Sequence, residues 1–322
     1  MLTAFVFDGE RSEQVEDWAV ALEDIDEEHL LWLALRDPEE DEVEALRETL
    51  DFGEDNARRL LEPPGRASVA YEGEHMHVTL YAASGEDDGP ALCPVECVLG
   101  TNWIATAHRG RLAVLEEFLE RAEGGGQIGG LDSPLFVAAV LEWVVASYLR
   151  AFEEIENELE ELDSRVMSET LTRDVSGDLA RLVELRRTIG TLRRALAPHR
   201  EVVVSLEHPE LDALSSEKSA QRYGDLERRV TQALDAARET KESTFGSFEL
   251  LSARIGQRTN DIMKVLTLVT VILLPATVLG GIMGMNFQVS VFGHAWLFWG
   301  VIATMLAIAA VVLSVARTRQ WI

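Results

Sequence analysis

The hydrophobic pattern of this chain changes period as it runs. Over residues 1–130, short apolar runs alternate with polar positions. "ASVAYEGEHMHVTLYAA" (67–83) predicts a β-hairpin, and "CVLGTNWIATAHRG" (97–110) two further strands. "DPEEDEVEALRETL" (37–50) and "RLAVLEEFLERAE" (111–123) predict helices with acidic first turns, and "GGGQIGG" (124–130) a break. The repeat then lengthens to a heptad. Leu141, Val145, Tyr148, Phe152, Ile155, Leu159, Leu162 and Val166 alternate spacings of four and three, as do Leu182, Leu185, Ile189, Leu192 and Leu196. Two long antiparallel helices follow, with "TLTRDVSGD" (170–178) as their turn and Pro198 and Pro209 closing the arm.

A third long helix begins near Leu211 and meets no proline before Pro275. At 1.5 Å per residue it would run about 90 Å. Its last part, residues 262–284, and the stretch 295–316 form two apolar runs, and residues 265–316 hold no Asp, Glu, Lys or Arg. A helix needs about 20 residues to cross a hydrocarbon core of about 30 Å, so each run is one membrane span. Arg254, Arg258 and Lys264 flank the first span on its N-terminal side, and Arg317 and Arg319 follow the second. The loop "MNFQVSVFGH" has no basic residue. Both termini are therefore expected in the cytosol, in a multi-pass protein of the cell membrane. Trp296, Trp299 and Trp321 suit the bilayer interfaces. The predicted fold is an α+β cytosolic domain (1–130), an acidic helical arm (131–208), a stalk helix (209–261) and a C-terminal transmembrane hairpin with a basic tail (262–322).

Charge sharpens this only in part. The net charge is −27, with three lysines against 26 arginines. An acidic surface concentrates cations near a transport path, and it also keeps a protein soluble in a salt-rich cytosol; both readings stay open. It gives no footing for nucleic acid. The N-terminus lacks the basic start of a signal peptide, and Cys93 and Cys97 do not make a disulfide framework. No Walker motif, nucleophile dyad or dinucleotide fingerprint is present, so no catalytic residue is assigned and an enzyme is not expected.

Within the first span, Asn260, Met263, Thr267, Thr270, Leu274, Thr277, Gly281 and Gly284 fall on one seam. Lipid does not reward a polar, small-residue stripe. Close helix packing through Gly280-x3-Gly284 is one use of it, and a pore wall shared by several identical helices is the other.

"TNDIMKVL" (259–266), "LLPATVLGGIMGMNF" (273–287) and the terminal "RTRQWI" resemble the CorA family of divalent metal-ion transporters, with the Gly-Met-Asn signature closing the first span. "LWLALRDPEEDEVEALRETLDFG" and "RASVAYEGEHMHVTLYA" match it more weakly. The resemblance implies a funnel-shaped homopentamer in the lipid bilayer that passes divalent cations, Mg²⁺ and also Co²⁺. It places Gly284, Met285 and Asn286 at the outer mouth. It also implies a ring at Thr277, a hydrophobic constriction at Met263 and Leu266, and a cytosolic ring at Asn260. A ring of neutral amide oxygens can hydrogen-bond a hydrated Mg²⁺ without trapping it.

Two departures stand out. The resemblance implies a regulatory metal held between subunits, with Asp225 on the stalk. Its N-terminal counterpart falls in "ARRLLEPPG" (57–65), where Arg59 or Leu61 stands near the expected acid and Glu62 is the nearest carboxylate. The loop "QVSVFGHA" (288–295) lacks the acidic segment of magnesium-type members and carries His294, which keeps Zn²⁺, Co²⁺ and Ni²⁺ and a ZntB-like zinc transporter as alternatives. A membrane-anchored scaffold that conducts nothing would explain the helices but not the signature. His75, His77, Cys93 and Cys97 are a loose zinc pattern, and "EEIENELEELD" (153–163) reads as a solvated acidic face.

Overall fold

A computed structural model describes residues 2–7, 12–26, 29–86, 89–110, 132–168, 175–210, 217–285 and 295–319. The predicted helix at 111–123, the break at 124–130, most of the 170–178 turn, Asn286, His294 and Trp321 lie outside the described residues. The chain divides into two compact units. One comprises Met1–Leu162 with Asp174–Ser247, the other Asp163–Arg173 with Phe248–Ile322.

The first unit is built on a sheet of β1 (Leu2–Phe7), β2 (Ser12–Val15), β3 (Leu30–Arg36), β4 (Ser68–Glu72), β5 (His75–Glu86), β6 (Gly89–Leu99) and β7 (Trp103–His108). The strand order is β2-β1-β3-β7-β6-β5-β4. Among the described residues, only the β3–β7 pair is parallel. A parallel pair needs a crossover, and here it carries α2 (Glu40–Leu50), α3 (Glu54–Leu61) and the β4–β6 strands. The predicted hairpin is β4–β5, and the two further strands are β6 and β7.

Both faces of this sheet are covered, which is why β3 reads "LLWLAL" without alternation. Leu31, Leu33 and Leu35 pack with Val43, Leu46 and Leu50 of α2 and Leu60 of α3, and α1 (Trp18–Asp24) lies against the same cluster. One residue along, Trp32 points the other way. It stacks on Phe5 and meets Phe136 of α4 (Ser133–Met167), centroids 5.3 and 5.0 Å apart. At α2 the acidic first turn predicted from sequence is present. Glu39 and Glu42 form a capping box, and Glu40 and Asp41 oppose the positive end of the helix dipole.

The heptad seams hold position by position. All eight apolar seam residues of α4 are buried, as are the five of α5 (Val175–Leu196). A further helix, α6 (His199–Glu207), occupies the stretch between the two prolines. The long helix is α7 (Glu217–Met283), continuous through Pro275. Its first part lies along α4. Tyr223 Oη donates to Pro134 O (2.6 Å), and Thr240 Oγ1 to Glu156 Oε1 (2.8 Å). Rising numbers on both helices make them parallel, while the Arg181–Glu158 pair joins α5 to α4 in the opposite sense.

The second unit holds the end of α7 and α8 (Ala295–Thr318). Among the described residues, three helices are long and apolar enough to cross a membrane: α4, α7 and α8. They differ in cover. In α4, 61 % of the most apolar stretch is buried, by the sheet and its neighbours; in α7 and α8 none is. Residues such as Leu266, Leu274, Leu306 and Val311 are largely exposed. Each would cost about 2 kcal/mol in water relative to an apolar setting, so a band of them requires lipid or partner helices.

Candidate functional site

The seam in α7 is helical along its whole length, so Asn260, Met263, Thr267, Thr270, Leu274, Thr277 and Gly281 share one face. At about 100° per residue, Leu266 and Thr267 straddle the line through Met263 by about 60° and 40°. The hydrophobic position at Leu266 and the polar one at Thr267 therefore border the same face, with no change of helix phase. Every residue of the stripe is exposed in the single chain.

The three threonines solve a local problem in a way that suits a cation. Thr267 Oγ1 donates to Met263 O (2.7 Å), Thr270 Oγ1 to Leu266 O (2.8 Å) and Thr277 Oγ1 to Leu274 O (2.8 Å). Each hydroxyl proton goes to the helix's own carbonyls, which makes the group tolerable in an apolar medium. The oxygen lone pairs remain as acceptors, the polarity a hydrated dication requires. Pro275, two residues before Thr277, has no N–H to give to the carbonyl four residues before it.

At the end of α7, Gly284 N donates to Gly280 O (2.9 Å) and Met285 N to Ile282 O (3.3 Å). Gly284 does not adopt a left-handed conformation; among the described glycines only Gly73 and Gly110 have positive φ. Space is what a side chain would test there, since a Cβ on Gly284 would lie 3.4 Å from Gly280 O. Gly280 and Gly281 face open space, so this small-residue surface is uncovered by the chain itself. Asn286, the third residue of the signature, lies outside the described residues.

The two residues named for regulation, expected to face each other across a subunit boundary, sit on different elements of the single chain. Glu62 caps the end of α3, its N–H donating to Arg58 O (2.7 Å). Asp225 pairs with Arg228 on α7, beside Arg222 and Arg229, both of which reach Glu142 of α4. Among the described residues no three metal-ligating side chains gather anywhere. The His/Cys pattern separates for a simple reason. His77 pairs across the ladder with Val98 and Cys97 with Val78, so the histidines and cysteines occupy opposite faces of the sheet. His75 and His77 do share a face, as expected.

Two polar arrangements escaped the sequence reading. In the sheet, Glu96 Oε2 accepts from Thr79 Oγ1 (2.7 Å) and contacts His77 Nε2 (2.5 Å), with all three residues buried. A glutamate inside the apolar run "CPVECVL" was the available signal. The second lies along β5. β4 ends at the Ser68–Thr79 pair, so the next residues of β5 pair with β6 on one side and have no strand on the other. Helices supply the missing partners: Tyr81 N–H donates to His199 Nε2 (3.1 Å), Tyr148 Oη to Tyr81 O (2.8 Å) and Ala83 N–H to Ser147 Oγ (2.9 Å). His199 Nδ1 faces the carbonyls of Ala195 and Leu196, so the ring is the neutral Nδ1–H tautomer. Burial holds its pKa down to about 4.

Together these features define a class: a protein with a soluble α+β and helical unit and two apolar C-terminal helices, one carrying an uncovered polar stripe. A family model described as CorA-like Mg²⁺ transporter protein matches residues 27–317. The cobalt/magnesium transport protein CorA of Methanocaldococcus jannaschii is 22 % identical over 296 residues, 91 % of this chain and 92 % of that protein. Its complete structure superposes with a TM-score of 0.78 at 21 % identity, covering 99 % of this chain and 98 % of the other. The full-length CmaX structure gives 0.76, at 21 % identity and coverages of 96 and 97 %. The cobalt/magnesium transport protein CorA of Thermotoga maritima is 26 % identical over 185 residues, 57 % of this chain, and the chain spans about half (51 %) of that relative's length. The chain belongs to the family of CorA-like Mg²⁺ transporter proteins.

Proposed function

We propose that this chain is one subunit of a membrane channel that passes divalent metal cations, Mg²⁺ foremost and Co²⁺ with it, down the membrane potential. The path is the face of α7 that runs from Asn260 through Met263, Leu266, Thr267, Thr270, Leu274 and Thr277 to Gly284. A single helix encloses nothing, so the path requires several copies around an axis, five by the resemblance. Both termini lie in the cytosol. The observation that carries this reading is the uncovered stripe of α7, whose threonine protons are turned back onto the helix and whose oxygens are left to accept. Met263 and Leu266 form the constriction, where closely spaced apolar rings gate by dewetting. Gly284, Met285 and Asn286 form the outer mouth, where amide oxygens receive the ion with its water shell.

The test is metal flux into proteoliposomes, comparing Mg²⁺, Co²⁺, Ni²⁺ and Zn²⁺ with and without a proton gradient. Potential-driven Mg²⁺ entry, abolished by Asn286→Ala with assembly intact, is the expected result. Zn²⁺ movement that needs the proton gradient, with little Mg²⁺ flux, would replace this reading by a zinc transporter on the same fold.

A further inference from the structure

We propose that the stalk groove around Asp225 binds an oxyanion of the phosphate class, and that it is not a seat for the divalent cation the family resemblance would put there. The groove has a volume of about 260 Å³ and is lined by Arg222, Asp225, Arg228, Arg229 and Gln232 of α7 and Glu142 of α4. Three guanidinium groups and two carboxylates leave it a net positive charge on a chain of net charge −27.

Their placement decides which ligand fits. Glu142 accepts from both Arg222 and Arg229 and is recessed, with 21 % of its side chain exposed; the two arginines are 51 and 54 % exposed. Asp225 is held by Arg228, itself 74 % exposed. Asp225 is 53 % exposed, so within each ion pair the guanidinium is the more exposed partner: Arg228 over Asp225, and Arg222 and Arg229 over Glu142. A dication at Asp225 would have to displace Arg228 and remain in the field of two more arginines. An oxyanion instead finds forked N–H donors in the geometry that matches phosphate oxygens, with the Gln232 amide as a neutral donor beside them. On the opposite side of the implied metal site, Glu62 stands at the end of α3 beside two arginines: Arg58 is paired with Asp55, and Arg59 makes no ion pair among the described residues. This inference is independent of the conduction path, and either can fail alone.

The test is calorimetric titration of the full-length protein in detergent with inorganic pyrophosphate, and separately with ATP, in EDTA so that no metal complex forms. Saturable binding is expected, weakened at least tenfold in the Arg228→Gln/Arg229→Gln double variant and strengthened severalfold in Asp225→Asn, which removes a competing carboxylate. Tighter ATP assigns the anion to a nucleotide and tighter pyrophosphate to a free phosphate; both uphold the site. Mn²⁺ titrated without EDTA gives the opposite sign. Mn²⁺ binding that Asp225→Asn abolishes, or anion binding indifferent to the arginine double variant, overturns the proposal.

Discussion

The two units of this chain place polar groups under opposite rules. In the soluble unit, polar side chains are buried and serve other elements: His199, Tyr148 and Ser147 complete the hydrogen bonds of β5, and Thr79 and His77 serve Glu96. In the second unit the threonines of α7 are exposed and serve only their own helix. A buried polar group in a water-folded core must find a partner across the structure, because desolvation without one costs about 1–3 kcal/mol. A hydroxyl bound for an apolar medium does better to satisfy itself locally, and that leaves its oxygen for whatever passes. The same residue type, threonine, is a structural tie in one unit and an acceptor surface in the other.

This contrast can be broken in four places. The largest effect is expected at Asn286, where Ala should lower flux by about a hundredfold or more without loss of folded protein, measured by tracer entry into proteoliposomes. Next is Glu96→Ala, which strips the buried cluster of its acceptor and should cost about 3 kcal/mol. For a unit of this size that is a fall of roughly 6–12 °C in thermal midpoint, and an unchanged midpoint would mean the cluster ties nothing together.

The third concerns His199. Its folded pKa, about 4, lies below the ordinary value of 6.5 because burial disfavours the charged ring. A depressed pKa means the unfolded chain binds the proton more readily. The contribution is complete above about pH 6.5 and is lost as pH falls toward 4. At pH 5 the loss should be about 2 kcal/mol, read as a lower urea midpoint than at pH 7.5, and His199→Gln should flatten the difference. The smallest stability effect is expected at Thr277→Val, under about 0.5 kcal/mol since no partner is orphaned, while flux should still drop severalfold. A large stability loss there would show that Thr277 serves a neighbouring element.

Much of the architecture was readable because it is periodic. The seams at Leu141–Val166 and Leu182–Leu196 repeat every seven residues, and burial follows them residue by residue. The uncharged run from 265 to 316 is a property of composition alone. What could not be read depends on pairing between distant segments. Nothing local says that Thr79 will oppose Glu96, or that β4 will stop short and leave Tyr81 to His199, 118 positions away. The short helix α6 is hidden in the sequence because Pro198 and Pro209 read as the close of the arm, whereas Pro198 stands at the helix N-terminus, where a missing N–H is harmless. The stripe on α7 was visible as a list of residues, but the self-satisfied hydroxyls that give it a chemical character are rotamer facts.

The apolar half of α4 also bears on how the protein is made. It is long and apolar enough to cross a membrane, though less apolar than α7 and α8 (mean hydropathy 1.7 against 2.3 and 2.4), and it ends up against the sheet. Among the described residues, all seven strands precede it in the chain. During synthesis the surface that must receive α4 has therefore left the ribosome before α4 does, and domains can fold as they emerge, from the N-terminal end onward. The order of elements is therefore the one that lets a sheet, ready first, claim the helix before a translocon does. Slowing the sheet, for instance through Glu96, would turn a stability defect into a topological one, with a third span inserted and the downstream loops on the wrong side of the membrane.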